Sequence, residues 1–325
     1  MIKYSFIIPV KEINDYIKES VPKILKSRRD DFEIIIYPDQ TYDNVKFLKT
    51  RQIASGPGGP AMKRNLAMRD ALGEILIFID DDAYPQEDFL NIIDEDFKNS
   101  EIAAVGGPAV TPENDSFWQK ISGAVFLSSL SGGCPERYAP IGKKRQIDDW
   151  PSVNLSIRKK VFKEINGFDC EFWPGEDTKL CLDVIKNNKK ILYNPNLIVY
   201  HHRRAGLVKH LKQVSGYGIH RGFFAKKYPE TSFKLKYFLP SLFLIFLFFG
   251  AVLSFADIIF FKIYLFGLVV YCLAILKALV DIRKHEKNIL VALNAIYYIL
   301  FTHLVYGFKF IQGFVFVREL RSKLR

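Results

Sequence analysis

Three consecutive acids, Asp80-Asp81-Asp82, stand directly behind the apolar run 74–79 (EILIFI). Like charges at that spacing repel one another unless a cation sits among them. Carboxylate oxygens are hard ligands suited to Mg2+ or Mn2+, and a divalent ion held there would neutralise a departing diphosphate. The same acids would also serve a solvated strand-to-helix turn and cap the next helix, so an isolated DDD leaves both readings open. Two more ionisable groups follow: Gly175-Glu176-Asp177 ahead of a helical stretch at 178–186, and His201-His202 behind an apolar strand at 197–200. Taken alone, the first fits a helix N-cap and the second a surface pair in a basic region.

The elements that must position these groups alternate. YSFIIPV (4–10) and FEIIIY (32–37) read as strands with a helix at 16–27 between them, a β-α-β unit. A glycine-rich GPGGPAMKRN leads into a helical stretch to about Leu72, and EILIFI then supplies a third parallel strand that ends on the acids. A helix at 87–99 and a strand at 102–106 continue the pattern. This predicts an α/β fold with an open sheet and ligands at the carboxyl ends of its strands. The stretch 128–150, rich in Gly, Ser, Pro and charge, reads as a mobile loop.

Hydropathy splits the chain into residues 1–230, mixed in the usual globular way, and residues 231–325, dominated by apolar segments at 238–256, 258–280 and 289–317. The first of these carries no charge and matches the roughly 20 apolar residues that cross a bilayer. The second holds only Lys262 and Lys277, both near enough to its ends to snorkel. The third, with His303 and Lys309 inside, is long for one span and short for two, so between two and four hydrophobic helices are expected. The net charge of +11 concentrates before the first segment, where Arg203, Arg204, Lys209, Lys212, Arg221, Lys226, Lys227, Lys234 and Lys236 face a single acid, Glu230. Beside a membrane segment that favours lipid over nucleic acid as partner, and places the preceding domain in the cytoplasm of a multi-pass inner-membrane protein. The start of the chain is too short and too soon polar for a cleavable leader. The basic tail 318–325 argues for a cytoplasmic C-terminus, hence an even number of crossings. Four cysteines without CxxC spacing suggest neither a disulfide framework nor a zinc site.

In motif order, residues 4–222 resemble the inverting family-2 glycosyltransferases of GT-A fold, a Rossmann-like open mixed sheet with flanking helices, here with C-terminal transmembrane helices. The opening motif appears as Ile8-Pro9-Val10-Lys11-Glu12, the aspartate after the second strand as Asp39, and the basic segment as Lys63-Arg64-Asn65. The resemblance implies that Pro9, Val10, Glu12, Asp39, Lys63, Asn65, Asp80 and Asp81 bind the nucleotide-sugar and that Asp82 ligates the metal. NLSIRKKVFKEINGFDCEFWPGEDTKLCLDVI resembles the acceptor-side segment, implying Asn154 and Glu176 on the acceptor side and Asp177 as the catalytic base. His201 resembles the third metal ligand seen in part of the family; an imidazole would complete a shell begun by carboxylates.

QVSGYGIHRG places Gln213 and Arg221 where processive synthases carry Gln-x-x-Arg-Trp, but that signature is absent, which argues for addition of a single sugar. Arg221 then faces either the leaving diphosphate or lipid phosphate. HLVYGFKFIQG (303–313) resembles the membrane tail of the exopolysaccharide and lipid-linked oligosaccharide branch, although a helix-packing face also explains Gly307 and Gly313. The expected activity moves one sugar from a UDP- or GDP-sugar to a lipid-linked saccharide. The alternatives are transfer to polyprenyl phosphate itself and a silent nucleotide-sugar-binding scaffold.

Overall fold

The computed structural model describes residues 1–172 and 174–320, so the tail beyond Leu320 and Trp173 within the acceptor-side segment lie outside the described residues. In chain order the elements are β1 (Tyr4–Pro9), α1 (Asp15–Ile24), β2 (Phe32–Tyr37), β3 (Thr50–Gln52), α2 (Pro60–Asn65), α3 (Ala67–Asp70), β4 (Ile75–Phe78), β5 (Ala83–Pro85), α4 (Phe89–Asp96), β6 (Ile102–Gly106) and β7 (Ala109–Val110). Then come α5 (Phe117–Ala124), β8 (Arg145–Ile147), β9 (Leu155–Arg158), α6 (Lys159–Glu164), α7 (Glu176–Lys186), β10 (Lys190–Tyr193) and β11 (Val199–His201). The remaining helices are α8 (Leu207–Lys227), α9 (Pro229–Ser232), α10 (Leu235–Leu253), α11 (Ile258–Arg283) and α12 (Ile289–Ile311).

By packing, the chain divides into two compact units. One holds Met1–Pro112 and Ala139–His202, the other Glu113–Tyr138 and Arg203–Leu320. The division at 230 marks a change of composition; packing assigns α8 and the excursion 113–138 to the unit with the apolar helices.

The first unit is built on an eight-stranded sheet in the order β3-β2-β1-β4-β9-β6-β10-β8. Strands β3, β2, β1 and β4 run parallel, as expected of the β-α-β alternation, whereas β9 is antiparallel to both β4 and β6. Because β1, β2 and β4 are buried on both faces they read as largely apolar runs. Along β1, Phe6 and Ile8 face Ile17 and Val21 of α1 and Phe89 and Ile93 of α4. Ile7 points the other way, into the layer that holds Ala61 of α2, Phe162 of α6 and Leu180 and Val184 of α7. Part of the expected mobile loop is ordered: β8 pairs antiparallel with β10 at the edge of the sheet.

A second sheet, β5-β11-β7, positions the ionisable groups. Its central strand begins later than the sequence suggests and includes His201, which pairs with Ala83 directly behind the acidic triplet. The backbone N–H of His202 donates to the Asp82 carbonyl at 3.0 Å. The bend from β6 towards β7 needs a glycine, since a Cβ at Gly107 would overlap the carbonyl of Leu197. The indole of Trp150 donates to the Gly107 carbonyl at 2.9 Å, and the amide of Asn154 donates to the carbonyls of Pro108 and Leu197 at 3.0 and 2.7 Å.

In the second unit α5 opens with a capping box of Ser116 and Gln119. Among the described residues three helical stretches, Leu235–Leu253, Ile258–Arg283 and Ile289–Phe316 (α12 with the turn that follows it), are long and apolar enough to cross a membrane. The first starts and stops three residues earlier than its apolar run, and Asp257 caps the next by accepting from the N–H of Ile259.

Overpacking the bend should destabilise the first unit. Gly107→Ala is expected to cost about 1–3 kcal/mol and to lower the Tm of detergent-purified protein in scanning fluorimetry by several degrees. An unchanged Tm would show that the bend is loose.

Candidate active site

Two adjacent cations on α2 tie the strand ends together. Lys63, 2% exposed, donates to the carbonyl of Val10 at 2.6 Å and is ion-paired with Asp39. It thereby joins the carboxyl ends of β1 and β2. Arg64, also 2% exposed, donates to Asp80 at 2.6 Å and to Glu176 at 3.3 Å, so one guanidinium links the end of β4 to the start of α7. Buried cations persist only where they are paired and hydrogen-bonded. Here the partners are the acids that the sequence singled out.

The end of β4 carries the densest group. Ligand atoms of Asp80, Asp82 and His201 all lie within 4.8 Å of one another, with Nε2 of His201 3.1 Å from Oδ1 of Asp82. Asp82 is 4% exposed. Two carboxylates and an imidazole on rigid strand ends form a donor set suited to Mg2+ or Mn2+. His202 points elsewhere: its Nε2 stands 3.2 Å from a carboxylate oxygen of Glu19, and its ring lies against Tyr16. Asp81 accepts from Asn14, the residue that caps α1, at 2.5 Å.

The acids of the GED segment sit in the first turn of α7 rather than ahead of the helix, where exposed N–H groups favour negative charge. Gly175 makes this entry possible with φ of 120°, a conformation that side chains rarely adopt. Asp177 accepts from the N–H of Thr178 at 2.8 Å and of Ser152 at 3.4 Å, which orients its carboxylate. Glu176 is 5% exposed, and burial, reinforced by the negative charge of Asp177, pushes its carboxyl up to about 8. Arg64, whose shorter contact goes to Asp80, opposes that shift.

The other predicted residues separate by role. Asn65 exchanges hydrogen bonds of 2.8 Å with both backbone groups of Phe168, fixing the turn after Gly167. Asn154 is 1% exposed with its amide protons bound to two carbonyls, so it braces the sheets. Pro9 ends β1, and Glu12 is exposed beyond it. Arg221 belongs to the second unit, where it donates to Ser232 at 3.3 Å and its guanidinium lies 4.7 Å from the ring centre of Tyr237. Sequence reasoning passed over the part played by Arg64, although a basic residue beside Lys63 and near three acids was a usable signal. Asn14 and Ser152 carry no signal of their own, because their contacts are made by the fold.

A raised carboxyl has a signed consequence. Between its ordinary value of 4.5 and about 8, Glu176 holds a proton in the folded state that the unfolded chain has released, so stability falls across that window as pH rises. Glu176→Gln removes this titration. In metal-free buffer the Tm of the variant relative to the native chain is expected to climb from pH 5 to pH 8 and then level; parallel profiles would contradict the assignment.

The family model for glycosyl transferase family group 2 matches residues 75–308. Among curated proteins, the chain is 24% identical over 241 residues to the dolichyl N-acetyl-alpha-D-glucosaminyl phosphate 3-beta-D-2,3-diacetamido-2,3-dideoxy-beta-D-glucuronosyltransferase of Methanococcus voltae, covering 69% of this chain and 74% of that one. It is 25% identical over 174 residues to the pre-mycofactocin glycosyltransferase of Mycobacterium tuberculosis, covering 54% of this chain and 36% of that one. Among solved structures, the mannosyltransferase PcManGT from Pyrobaculum calidifontis, in complex with GDP-Man and Mn2+, superposes with a TM-score of 0.56 at 15% identity, covering 98% of this chain and 88% of that one. That likeness is one of fold and agrees with the GT-A reading of the sheet. With more than half of its length matched by the family model, the chain belongs to glycosyl transferase family group 2.

Proposed function

We propose that the chain is an inverting glycosyltransferase that moves one sugar from a nucleotide-sugar to a lipid-linked saccharide, with its catalytic unit on the cytoplasmic face of the membrane. The observation that carries this reading is the convergence of Asp80, Asp82 and His201 at the end of β4. These three would hold a Mg2+ or Mn2+ ion, which when bound supplies positive charge for the departing nucleoside diphosphate. The Mn2+ and GDP-Man of PcManGT support a metal and a nucleotide-sugar donor, and the name of the Methanococcus relative supports a lipid-linked acceptor.

The chain's own residues divide the remaining work. Asp39, held by Lys63, faces the nucleotide together with the β1 end at Pro9 and Val10. Arg64 keeps the donor-side acid Asp80 and the acceptor-side acid Glu176 in register, so the two halves of the reaction are set by one side chain. Asp177 accepts the proton of the acceptor hydroxyl as its oxygen attacks the anomeric carbon and the bond from that carbon to the diphosphate breaks. Backbone N–H groups fix the orientation of its carboxylate for that transfer.

The test is release of nucleoside diphosphate by detergent-purified protein across a panel of UDP- and GDP-sugars, with native lipid extract, with and without Mn2+. Asp177→Asn is expected to lower turnover by about 10²–10⁴-fold while leaving donor binding intact. Wild-type turnover without added metal and after chelation would remove the metal from the account. Binding without turnover in either protein would favour a silent scaffold, and turnover on bare polyprenyl phosphate would move the acceptor to the lipid phosphate itself.

A further inference from the structure

Three helices are apolar enough to span a bilayer, yet they differ in what surrounds them. Within the most apolar stretch of each, 6% of residues are buried in α10 and none in α11, against 39% in α12. The burial of α12 comes from α8, α10 and α5, and along α8 the contacts run the length of the helix. The ring of His210 meets Tyr298, and its Nε2 lies 3.0 Å from the hydroxyl of Thr302. Further along, a Cβ at Gly218 would crowd Tyr306 and Lys309, one at Gly222 would overlap the carbonyl of Phe310, and one at Gly313 would overlap that of Ile219. At the end Lys226 donates to the carbonyl of Val317 at 2.7 Å. Contacts advance in the same direction on both helices, so α8 and α12 run side by side. From His210 to Lys226 that is roughly 24 Å at about 1.5 Å per residue.

Helix α8 carries Lys209, Lys212, Arg221, Lys226 and Lys227. If α12 crossed the bilayer it would draw this helix through most of a hydrocarbon layer about 30 Å thick, where each Lys or Arg is strongly disfavoured. The contacts of α12 with the other two helices agree. Its middle meets both, with His303 bound to Tyr271 at 3.0 Å and beside the ring of Phe243. Its first turns meet Ala278 and Ile282 at the end of α11, and its last turns meet Phe238 and Ser241 at the start of α10. Both ends of α12 therefore lie at the open end of the α10–α11 hairpin. Beyond it α10 and α11 pair with each other through Phe246, Gly250, Tyr264 and Gly267. Of the large apolar residues that α12 leaves exposed, Ile289, Leu290, Leu293, Tyr297, Leu300 and Phe308 share one stripe at helical spacing.

We propose that only α10 and α11 cross the membrane, and that α12 lies in the plane of the bilayer across their open end, its apolar stripe in the acyl-chain boundary and its buried face against α8. The described residues then make two crossings, which is the even count that the basic residues 318–325 lead one to expect.

Membrane-impermeant maleimide labelling in sealed vesicles of both orientations tests this. Single cysteines are placed at Ser254→Cys, at Lys287→Cys and after Arg325, in a chain whose four native cysteines are replaced by serine. The proposal expects the Lys287→Cys and C-terminal sites to label from one face and Ser254→Cys from the other. Labelling of the C-terminal site from the Ser254 face would make α12 a third span and overturn it. If the replaced chain fails to fold, protease protection of a C-terminal epitope on the native chain reads the same choice: cleavage from the face that exposes unit-one loops supports two crossings, and protection there overturns them.

Discussion

Acids gathered at the carboxyl ends of neighbouring strands repel one another, and a fold that brings them together must hold cations among them before any ligand arrives. In this chain that constraint is met by two adjacent residues, Lys63 and Arg64, on one short helix. Lys63 takes the acid behind β2, and Arg64 takes those behind β4 and at the start of α7. Removing either cation would leave buried or half-buried carboxylates unopposed, a loss usually greater than the net value of the pair itself. The same guanidinium reaches the first turn of α7 through Glu176, next to Asp177. Glu176 shows the limit of the arrangement, because burial and the neighbouring charge of Asp177 raise its carboxyl despite the guanidinium beside it.

Much of this was legible in the chain. Apolar runs in β1, β2 and β4 announce a parallel sheet buried on both faces, and the acids directly behind β4 mark its functional edge. The motif order from Ile8 to Asp177 narrows the chemistry further. What the chain does not display are contacts created by distance in sequence. His201 reaches Asp82 because β11 pairs with β5, a ladder of three residues that no periodicity reveals. The two histidines look alike in sequence, and only their alternation across the strand end sends one to the acids and the other to Glu19. The entry to α7 lies two residues ahead of the helical stretch expected at 178–186, because Gly175 caps it at a positive φ that lets the acids join the first turn.

The second unit teaches a different lesson. Hydropathy measures whether a helix tolerates lipid, while packing decides whether it must also face protein. Gly307 and Gly313 were open to two readings, and the structure places both where backbones approach closely, against α10 and α8 respectively. An apolar helix fixed along a basic one is constrained by its neighbour's charge as much as by its own composition.

The central claim is that the strand-end cluster is a divalent-cation site set by Asp80, Asp82 and His201. A titration of Mn2+ into the purified chain, followed by the EPR signal of the free ion, reads it without any assumption about substrate. One equivalent bound by the native chain and by Asp177→Asn, and lost in Asp82→Asn, is the predicted result. Equal binding by Asp82→Asn and the native chain would contradict the account, because the ion would then be held elsewhere.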